Sequence, residues 1–216
     1  MLPFVNRSSR NPGEDIRMRK LILQMQMSVD GFVESHQDVD WQLWGWGENN
    51  KWDEELKRDF NLHFERLDTI LLSRKMAEEG YLDHWGKAAE RYPADPFYAF
   101  AKRITELKKV VLTDKLKKSA WPRTDVRGGD LGTAVTAMKA EAGGDIGVFG
   151  GAGFASALIG AGVVDEFQLY INPAALGTGR RIFETSGFRK LKLLNAKAYP
   201  SGMVVSRYAK AEAITA

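Results

Sequence analysis

One segment of the chain strongly restricts how it can fold, because a short apolar run leads directly into glycines. Residues 146–149 (IGVF) are apolar, residues 150–153 (GGAG) follow at once, and residues 154–159 (FASALI) have the composition of a buried helix. A buried strand that passes through glycines into a helix leaves backbone N–H groups unpaired at the helix start. With the positive end of the helix dipole, these groups favour a phosphate or pyrophosphate. The segment therefore indicates an α/β fold with a nucleotide cofactor.

The rest of the chain alternates strands and helices and then ends in a run of strands. Helical spacing is found at residues 52–66, 97–107 and 133–142, and strand patterns at residues 20–27, 69–72, 109–113, 146–149, 164–173, 189–198 and 203–210. Residues 82–98, which include Pro93 and Pro96, are predicted to form a polar loop. This order predicts three layers, helix–sheet–helix, around a mixed and mainly parallel sheet with antiparallel strands at its C-terminal end.

Length and composition exclude several classes of protein. A chain of 216 residues suits one domain, and we expect a flexible tail over residues 1–17 and a single domain over residues 18–216. The net charge is only +3, with acidic and basic residues interspersed, which disfavours nucleic-acid binding. No apolar run approaches the ~18 residues of a membrane-spanning helix, so no membrane association is predicted.

The chain contains no cysteine, which is compatible with the cytoplasm and excludes thiolate metal sites and cysteine nucleophiles. His36, His63 and His84 do not have the spacing of a zinc site, so no metal is predicted. A standard dinucleotide fingerprint does not fit, because Ser156 stands where a third glycine or alanine is expected and the motif lies late in the chain. A Walker motif and a Gly-x-Ser-x-Gly elbow are also absent.

Three predicted strands end in small, polar or cationic residues. Arg74 follows the strand at 69–72, Thr113 ends the strand at 109–113, and the glycine turn follows the strand at 146–149. The carboxyl ends of parallel strands open onto one edge of a sheet, so these groups are expected to surround one anionic ligand. Each also has a plain structural explanation, as a solvated helix start, a cap or a tight turn.

The succession of these segments resembles the dihydrofolate reductase-like superfamily. Within it, the chain is most similar to the C-terminal reductase domain of the bifunctional riboflavin-biosynthesis deaminase-reductase and to its stand-alone homologues. The deaminase half has no counterpart, because its zinc motif requires cysteines. The resemblance covers about residues 18–210 and is carried by residues 27–33, 69–75, 109–113, 145–153, 162–173 and 176–183.

The resemblance implies NADPH as the cofactor. It places the residues after the first strand beside the nicotinamide, the Ser-Arg pair and Lys75 at the adenosine phosphate, Thr113 near the 2′-phosphate, and the glycine turn around the pyrophosphate. In this chain a serine replaces the glycine that usually precedes the arginine. The implied cofactor-binding residues are Gln26, Met27, Ser28, Ser73, Arg74, Lys75, Thr113, Gly150, Gly151, Ala152, Gly153, Phe154 and Ala155.

The substrate side is less constrained by the sequence. Asp30 lies at the turn beside the expected nicotinamide and is the candidate catalytic acid or substrate contact, although an aspartate bonded within its own turn is an equal alternative. Trp41 and Trp46 are candidates to stack on a flat substrate, or else anchor a loop or contact a second subunit. Arg180 and Arg181 could bind a substrate phosphate or simply be exposed.

The function implied by the resemblance is an NADPH-dependent reductase of a pyrimidine or pterin-type heterocycle. Its reaction would match the reduction of a ribosylaminopyrimidine in riboflavin biosynthesis, in a homodimer with a small-molecule heterocyclic substrate. One alternative is a folate reductase, which needs a buried carboxylate facing the nicotinamide. Another is a non-catalytic, dimeric module that only binds NADPH.

Overall fold

The structure, a computed structural model, describes residues 17–43, 51–184 and 187–211. The described residues form two sheets and six α-helices that alternate along most of the chain. The helices are α1 (Glu54–Glu65), α2 (Arg74–Glu78), α3 (Tyr81–Arg91), α4 (Ala99–Glu106), α5 (Leu131–Ala140) and α6 (Ala152–Gly160). The strands are β1 (Leu21–Met27), β2 (Glu34–Ser35), β3 (Leu67–Ser73), β4 (Lys108–Leu112), β5 (Thr124–Arg127), β6 (Asp145–Phe149), β7 (Glu166–Ile171), β8 (Gly179–Arg180), β9 (Leu191–Ala198) and β10 (Val204–Lys210).

The main sheet has eight strands in the order β5-β4-β3-β6-β1-β7-β10-β9. Every neighbouring pair from β5 to β7 is parallel, whereas β10 runs antiparallel to both β7 and β9. The predicted mixed sheet with antiparallel C-terminal strands is therefore confirmed. Its parallel part matters for function, because the carboxyl ends of six strands meet at one edge.

Helices cover both faces of the sheet, which gives the predicted three layers. On one face α1, α3 and α4 pack on an aromatic core that includes Phe64 and Phe100. On the other face α5 and α6 pack through smaller side chains such as Val135 and Leu158. Large buried residues line both interfaces, so the sheet forms the centre of the fold.

Local sequence explains where the helix beside the carboxyl edge begins. The Asp53 side chain accepts a hydrogen bond of 3.0 Å from the Leu56 backbone N–H, which is the usual way to cap a helix start. Leu56, Phe60 and Phe64 then fall at intervals of four and bury one face of α1 in the aromatic core. The tryptophan that precedes this helix, Trp52, is buried with them.

The prediction of a polar loop over residues 82–98 is wrong for its first half, because α3 occupies most of it. Tyr81, Leu82, Trp85 and Ala88 form a buried face at helical spacing, and packing of this face outweighs the polar residues between them. Gly86 and the prolines further on conceal that periodicity in the sequence. The short strand β5 also lies in a stretch where the sequence predicts no strand.

Candidate functional site

The carboxyl edge of the sheet brings together the strand ends that the sequence singled out. Leu72 of β3 pairs with Phe149 of β6, and Ser73 pairs with Leu112 of β4, so the residues that follow these strands are neighbours. On the other side of β6, β1 runs parallel with it and ends at Met27. The glycine turn therefore lies between the end of β3 and the end of β1. It is the centre of the edge.

At the glycine turn, a carboxylate already occupies the start of α6. Gly151 is the N-cap of this helix and offers no side chain to it. The Ala152 backbone N–H instead donates a hydrogen bond of 3.1 Å to Glu34 Oε1. A Cβ placed on Gly151 would lie 3.3 Å from that same oxygen. The absence of a side chain at Gly151 thus keeps open the space in which an anion contacts the helix N-terminus.

Glu34 reaches the turn because β2 pairs with β8. Glu34 lies opposite Arg180 in this small antiparallel sheet, and a Cβ on Gly179 would collide with the Glu34 carbonyl oxygen. Arg180 Nη1 lies 3.4 Å from Glu34 Oε2, and its Nη2 would lie 3.3 Å from a Cβ on Gly153. An anion bound here would therefore contact backbone N–H groups on one side and a guanidinium group on the other.

Arg181, the neighbour of Arg180, is placed differently. Its guanidinium carbon lies 4.2 Å from the centre of the Phe32 ring, a cation–π contact. Of the two arginines proposed for a substrate phosphate, one therefore lies beside the glycine turn and the other covers an aromatic ring of the loop after β1.

The predicted adenosine-phosphate residues lie at the ends of β3 and β4. Ser73 is buried and its Oγ accepts a hydrogen bond of 3.1 Å from the Met76 backbone N–H, so its side chain caps α2. Arg74 pairs with Glu78, and Lys75 lies 3.4 Å from Glu79, both on the helix surface. Such exposed pairs contribute little stability and exchange easily for another anion. Thr113 Oγ1 accepts from the Lys115 backbone N–H at 3.1 Å.

The remaining predicted cofactor residues lie at the glycine turn and at the end of β1. Gly150, Gly151 and Gly153 lie in or beside the turn and are at least partly exposed, so a ligand can reach their backbones. Ala152 and Ala155 are buried against the sheet and leave only main-chain atoms for binding. Phe154 packs over Gly150, where a Cβ would lie 2.7 Å from its ring. At the end of β1, the side chains of Met27 and Ser28 are buried, whereas Gln26 is partly exposed.

Asp30 is held entirely by its own turn and by the loop that follows β7. Its carboxylate accepts from Ser28 Oγ at 2.6 Å, from the Gly177 backbone N–H at 2.7 Å and from the Leu176 backbone N–H at 3.1 Å. These hydrogen bonds, that of Ser28 first, lower the pKa of Asp30 to about 2. A carboxylate in this state has no proton to donate near neutral pH. The structure thus favours the alternative of a turn aspartate over that of a catalytic acid.

A cavity of about 150 Å³ opens at this edge, between β1, β6 and α1. Two of the predicted residues, Gln26 and Gly150, line it. Its aromatic wall contains Trp52, whose ring lies parallel to that of Tyr170 with centroids 5.5 Å apart. The described lining residues are Gln24, Met25, Gln26, Gln42, Trp52, Phe60, Met76, Tyr81, Phe149, Gly150 and Tyr170, none of which carries a carboxylate.

The tryptophans proposed for substrate stacking are only partly described. Trp41 is half-buried and does not belong to the lining given above, although its neighbour Gln42 does. Trp46 lies outside the described residues. The buried side chain of Asn172, whose role the sequence did not indicate, accepts a hydrogen bond of 2.8 Å from the Leu43 backbone N–H. Asn172 thereby ties the loop carrying Trp41 and Gln42 to the end of β7.

Sequence reasoning also missed Glu34 and gave Arg180 a different role. Glu34 is 118 residues from Ala152 and 146 residues from Arg180, so no local pattern connects them. The only available signal is their position, Glu34 after the short extended piece that follows β1 and Arg180 after two glycines. Among the residues that the structure describes, no group of three or more acidic or histidine side chains is arranged to hold a metal ion. Nor does any described helix have the length and apolarity to cross a membrane.

Comparison with known proteins gives one family and several similar folds. The model of the RibD C-terminal domain family matches residues 19–205. The uncharacterized protein YyaP of Bacillus subtilis (strain 168) is 27% identical over 192 residues, which is 88% of this chain and 94% of YyaP.

Two solved structures illustrate the likeness in fold. The riboflavin biosynthesis reductase Rib7 of Saccharomyces cerevisiae has a TM-score of 0.53 at 16% identity, over 92% of this chain and 93% of Rib7. A dihydrofolate reductase of Enterococcus faecalis, solved with NADP(H), also has a TM-score of 0.53, at 12% identity, over 89% of this chain and 97% of that one. At these identities the likeness concerns the fold alone.

Proposed function

The chain belongs to the RibD C-terminal domain family, and we propose that it is an NADPH-dependent reductase of a pyrimidine or pterin-type heterocycle. The observation that carries the proposal is the Glu34 carboxylate at the start of α6, bound by the Ala152 backbone N–H at 3.1 Å. This carboxylate lies between exposed glycines and Arg180, an arrangement that would also suit the pyrophosphate of a dinucleotide. The family and the reductases of similar fold support the same reaction class.

The residues of the edge fit the extended shape of a dinucleotide. Gly150, Gly151 and Gly153 would hold the pyrophosphate in place of Glu34, with Arg180 as its counter-charge. Arg74 and Thr113, at the ends of the two strands beyond β6, would receive the adenosine end and its 2′-phosphate. A guanidinium group suits this role, because it binds a phosphate through two parallel hydrogen bonds.

The edge cavity would receive the reacting ends of cofactor and substrate. When bound, NADPH supplies the hydride, and the protein orients the two partners and excludes water. Gln26 lines the cavity and can hydrogen-bond a heterocycle, and the stacked rings of Trp52 and Tyr170 form an apolar wall. Trp41 and Trp46 remain candidates for the outer side of the same site. Asp30 would shape the turn beside the cofactor, since its depressed pKa leaves it without a proton to give.

The cavity favours a pyrimidine-type substrate over a folate. A folate reductase needs a buried carboxylate that faces the nicotinamide and binds the pterin, and the described cavity lining contains none. Asp53, on the helix that borders the cavity, uses its side chain to cap that helix and to accept from the Ser201 backbone N–H at 3.2 Å. We therefore place a ribosylaminopyrimidine, as in riboflavin biosynthesis, before a dihydropterin as the candidate substrate.

A homodimer in the cytoplasm completes the proposal. The edge strand β9 exposes Leu193 and Leu194, and Phe188 beside it is 95% exposed, an apolar surface that a second subunit would cover. Light scattering should give twice the mass of 24.2 kDa, and a monomer at high concentration would contradict this part. The lack of cysteine suits a reducing compartment.

An assay of NADPH oxidation tests the activity. The purified protein is incubated with NADPH and either the ribosylaminopyrimidine or dihydrofolate, and the loss of NADPH absorbance is followed. Oxidation with the pyrimidine alone supports the proposal, and oxidation with dihydrofolate alone favours the folate reductase. Saturable NADPH binding without turnover of either compound would favour a non-catalytic binding module. Absence of NADPH binding would contradict all three functions.

A further inference from the structure

A second and larger cavity lies away from the carboxyl edge, between α1 and the strands β7, β10 and β9. It has a volume of about 290 Å³, far above the roughly 30 Å³ that one liquid water occupies. Its floor is apolar, formed by Leu56 and Val205, and Leu62 stands half-exposed at its rim. The two cavities share only Tyr170 among their described lining residues, so this space is separate from the proposed nicotinamide site.

A buried histidine with an unpaired ring nitrogen is among the residues that line this second cavity. His63 is 6% exposed, and its Nε2 has no hydrogen-bond partner. Its Nδ1 lies 2.9 Å from Gln168 Nε2, and that amide nitrogen also lies 3.4 Å from a carboxylate oxygen of Glu166. Next to a carboxylate the nitrogen must be the donating NH₂ group, so His63 Nδ1 accepts and the proton lies on Nε2. Burial lowers the pKa of His63 to about 4, which keeps the ring neutral.

Two guanidinium groups and two carboxylates act on this histidine, those of Arg66, Arg207, Glu166 and Asp145. Glu166 is 1% exposed and accepts from Arg207 at 2.6 Å and 3.0 Å, with Arg66 at 3.5 Å. Asp145 accepts from Arg66 at 3.0 Å and from Arg17 at 2.9 Å. Arg17 is mostly exposed and does not line the cavity. Arg66 and Arg207 line the cavity and retain N–H donors beyond these bonds.

At the opposite end of the cavity, negative groups outnumber positive ones. Lys197 lies 2.6 Å from Asp59 and 2.7 Å from Glu55, and the Tyr199 hydroxyl donates to Asp59 at 2.8 Å. One ammonium group therefore faces two carboxylates, and an anion is repelled from that end. A ligand with one negative charge would orient with its anionic group toward His63.

We propose that this cavity binds a small monocarboxylate with an apolar body. Its carboxylate accepts from His63 Nε2 and from the guanidinium groups of Arg66 and Arg207, and its body covers Leu56, Leu62 and Val205. The free N–H donors at the arginine end select the carboxylate of that ligand, and the apolar floor selects its body. The site is independent of the proposed reductase activity, so either proposal can fail without the other.

Titration with benzoate, followed by NMR of the histidine side chains, tests the site. The chain has only His36, His63 and His84, so the imidazole signals are easily assigned. Benzoate should shift the His63 signals in a saturable way with a Kd on the order of 1 mM or below. Benzamide, which has the same body without the charge, should bind at least about tenfold more weakly.

Four variants separate a real site from an incidental contact. His63→Leu should weaken benzoate binding about 10- to 100-fold, because a buried hydrogen bond to a charged group is lost, whereas His84→Leu should leave it unchanged. If His63→Leu does not fold, Leu62→Glu, which places a negative charge at the exposed rim, should weaken binding relative to Leu62→Gln. A lack of saturable His63 shifts, equal binding by benzamide, or equal affinities of Leu62→Glu and Leu62→Gln would overturn the proposal.

Discussion

The two edges of the parallel sheet use charged groups in opposite ways. At the amino edge, Arg19, Asp145 and Glu166 are almost fully buried, and each has side-chain partners close by. Asp145 pairs with Arg17 and Arg66, Glu166 pairs with Arg207, and Arg19 donates to Thr69. At the carboxyl edge, Arg74 and Arg180 are exposed and hold only surface carboxylates. Each of these amino-edge ion pairs thus includes one almost fully buried charge, whereas both members of each carboxyl-edge pair are exposed. An exposed ion pair contributes little stability, so its charges can exchange their present partner for a ligand at little cost.

The backbone N–H groups at the two edges also differ in the acceptors that they bind. At the amino edge, the Asp165 side chain accepts from the Leu21 backbone N–H at 2.8 Å, and Asp145 accepts from the Lys20 backbone N–H at 3.1 Å. These hydrogen bonds satisfy backbone donors at the start of β1. At the carboxyl edge, the Ala152 backbone N–H donates to Glu34, a partly exposed side chain that comes from a separate two-stranded sheet. The carboxylates of the amino edge therefore mainly stabilise the fold, and the more accessible charges of the carboxyl edge suit the cofactor site proposed above.

The largest expected effect comes from removing a charge at the amino edge. Asp145→Asn should lower the free energy of unfolding by about 3 kcal/mol, because Arg66 and Arg17 lose a buried carboxylate. Urea denaturation measures it. The matched change at the carboxyl edge, Glu78→Gln, removes the exposed partner of Arg74 and should cost less than about 0.5 kcal/mol. Equal losses for the two variants would break the comparison.

A side chain at the glycine turn should affect binding rather than stability. Gly151 has φ −73° and ψ 175°, a conformation that valine also adopts, so Gly151→Val fills the anion space without straining the backbone. We expect NADPH to bind at least about tenfold more weakly, from a steric cost of roughly 1.4 kcal/mol or more. Calorimetric titration measures it. Gly160→Ala, at the other end of the same helix, meets no atom within 4 Å and should bind NADPH normally.

Loss of a carboxyl-edge cation should discriminate between the two nicotinamide dinucleotides. Arg74→Ala removes the guanidinium group proposed to bind the 2′-phosphate, so NADPH should bind about tenfold more weakly while NADH is nearly unaffected. Tryptophan fluorescence can follow both titrations. An equal loss for both cofactors would remove the 2′-phosphate role from Arg74.

The smallest expected effect is an increase in the affinity for NADPH. Glu34→Gln keeps the size of the side chain but removes the negative charge that competes for the helix start, so NADPH should bind about two- to fivefold more tightly. The variant should also free Arg180 from its ion pair. Weaker binding in Glu34→Gln would mean that Glu34 supports the site rather than competing for it. Calorimetry at fixed ionic strength distinguishes the two outcomes.

Much of this fold follows from local sequence, because apolar strands ending in glycine or polar residues are recognisable one by one. The strands at 69–72, 109–113 and 146–149 were predicted within two residues of β3, β4 and β6. The family resemblance is confirmed by the match over residues 19–205. In contrast, α3 depends on packing of Trp85 against Phe100, a contact that only the folded chain creates.

In the candidate site, too, some features were predictable from local sequence and others required the structure. The glycine turn is contiguous in sequence, so its position was predictable. The Glu34–Arg180 pair joins residues far apart in the chain and required the structure. Asp30 was ambiguous because its sequence context suits both a turn and an active site. The hydrogen bonds from Leu176 and Gly177 that lower its pKa come from a loop more than 140 residues away.

The central claim is that the glycine turn between β6 and α6 is the pyrophosphate site of a dinucleotide. The most direct test is to follow the backbone amide signals of the ¹⁵N-labelled protein as NADPH is added. We predict saturable shifts at Gly150, Gly151, Ala152 and Gly153, with the Ala152 signal changing as the Glu34 carboxylate is displaced. Amide signals of the turn that do not move while NADPH binds elsewhere, or that do not respond at any NADPH concentration, would contradict the claim.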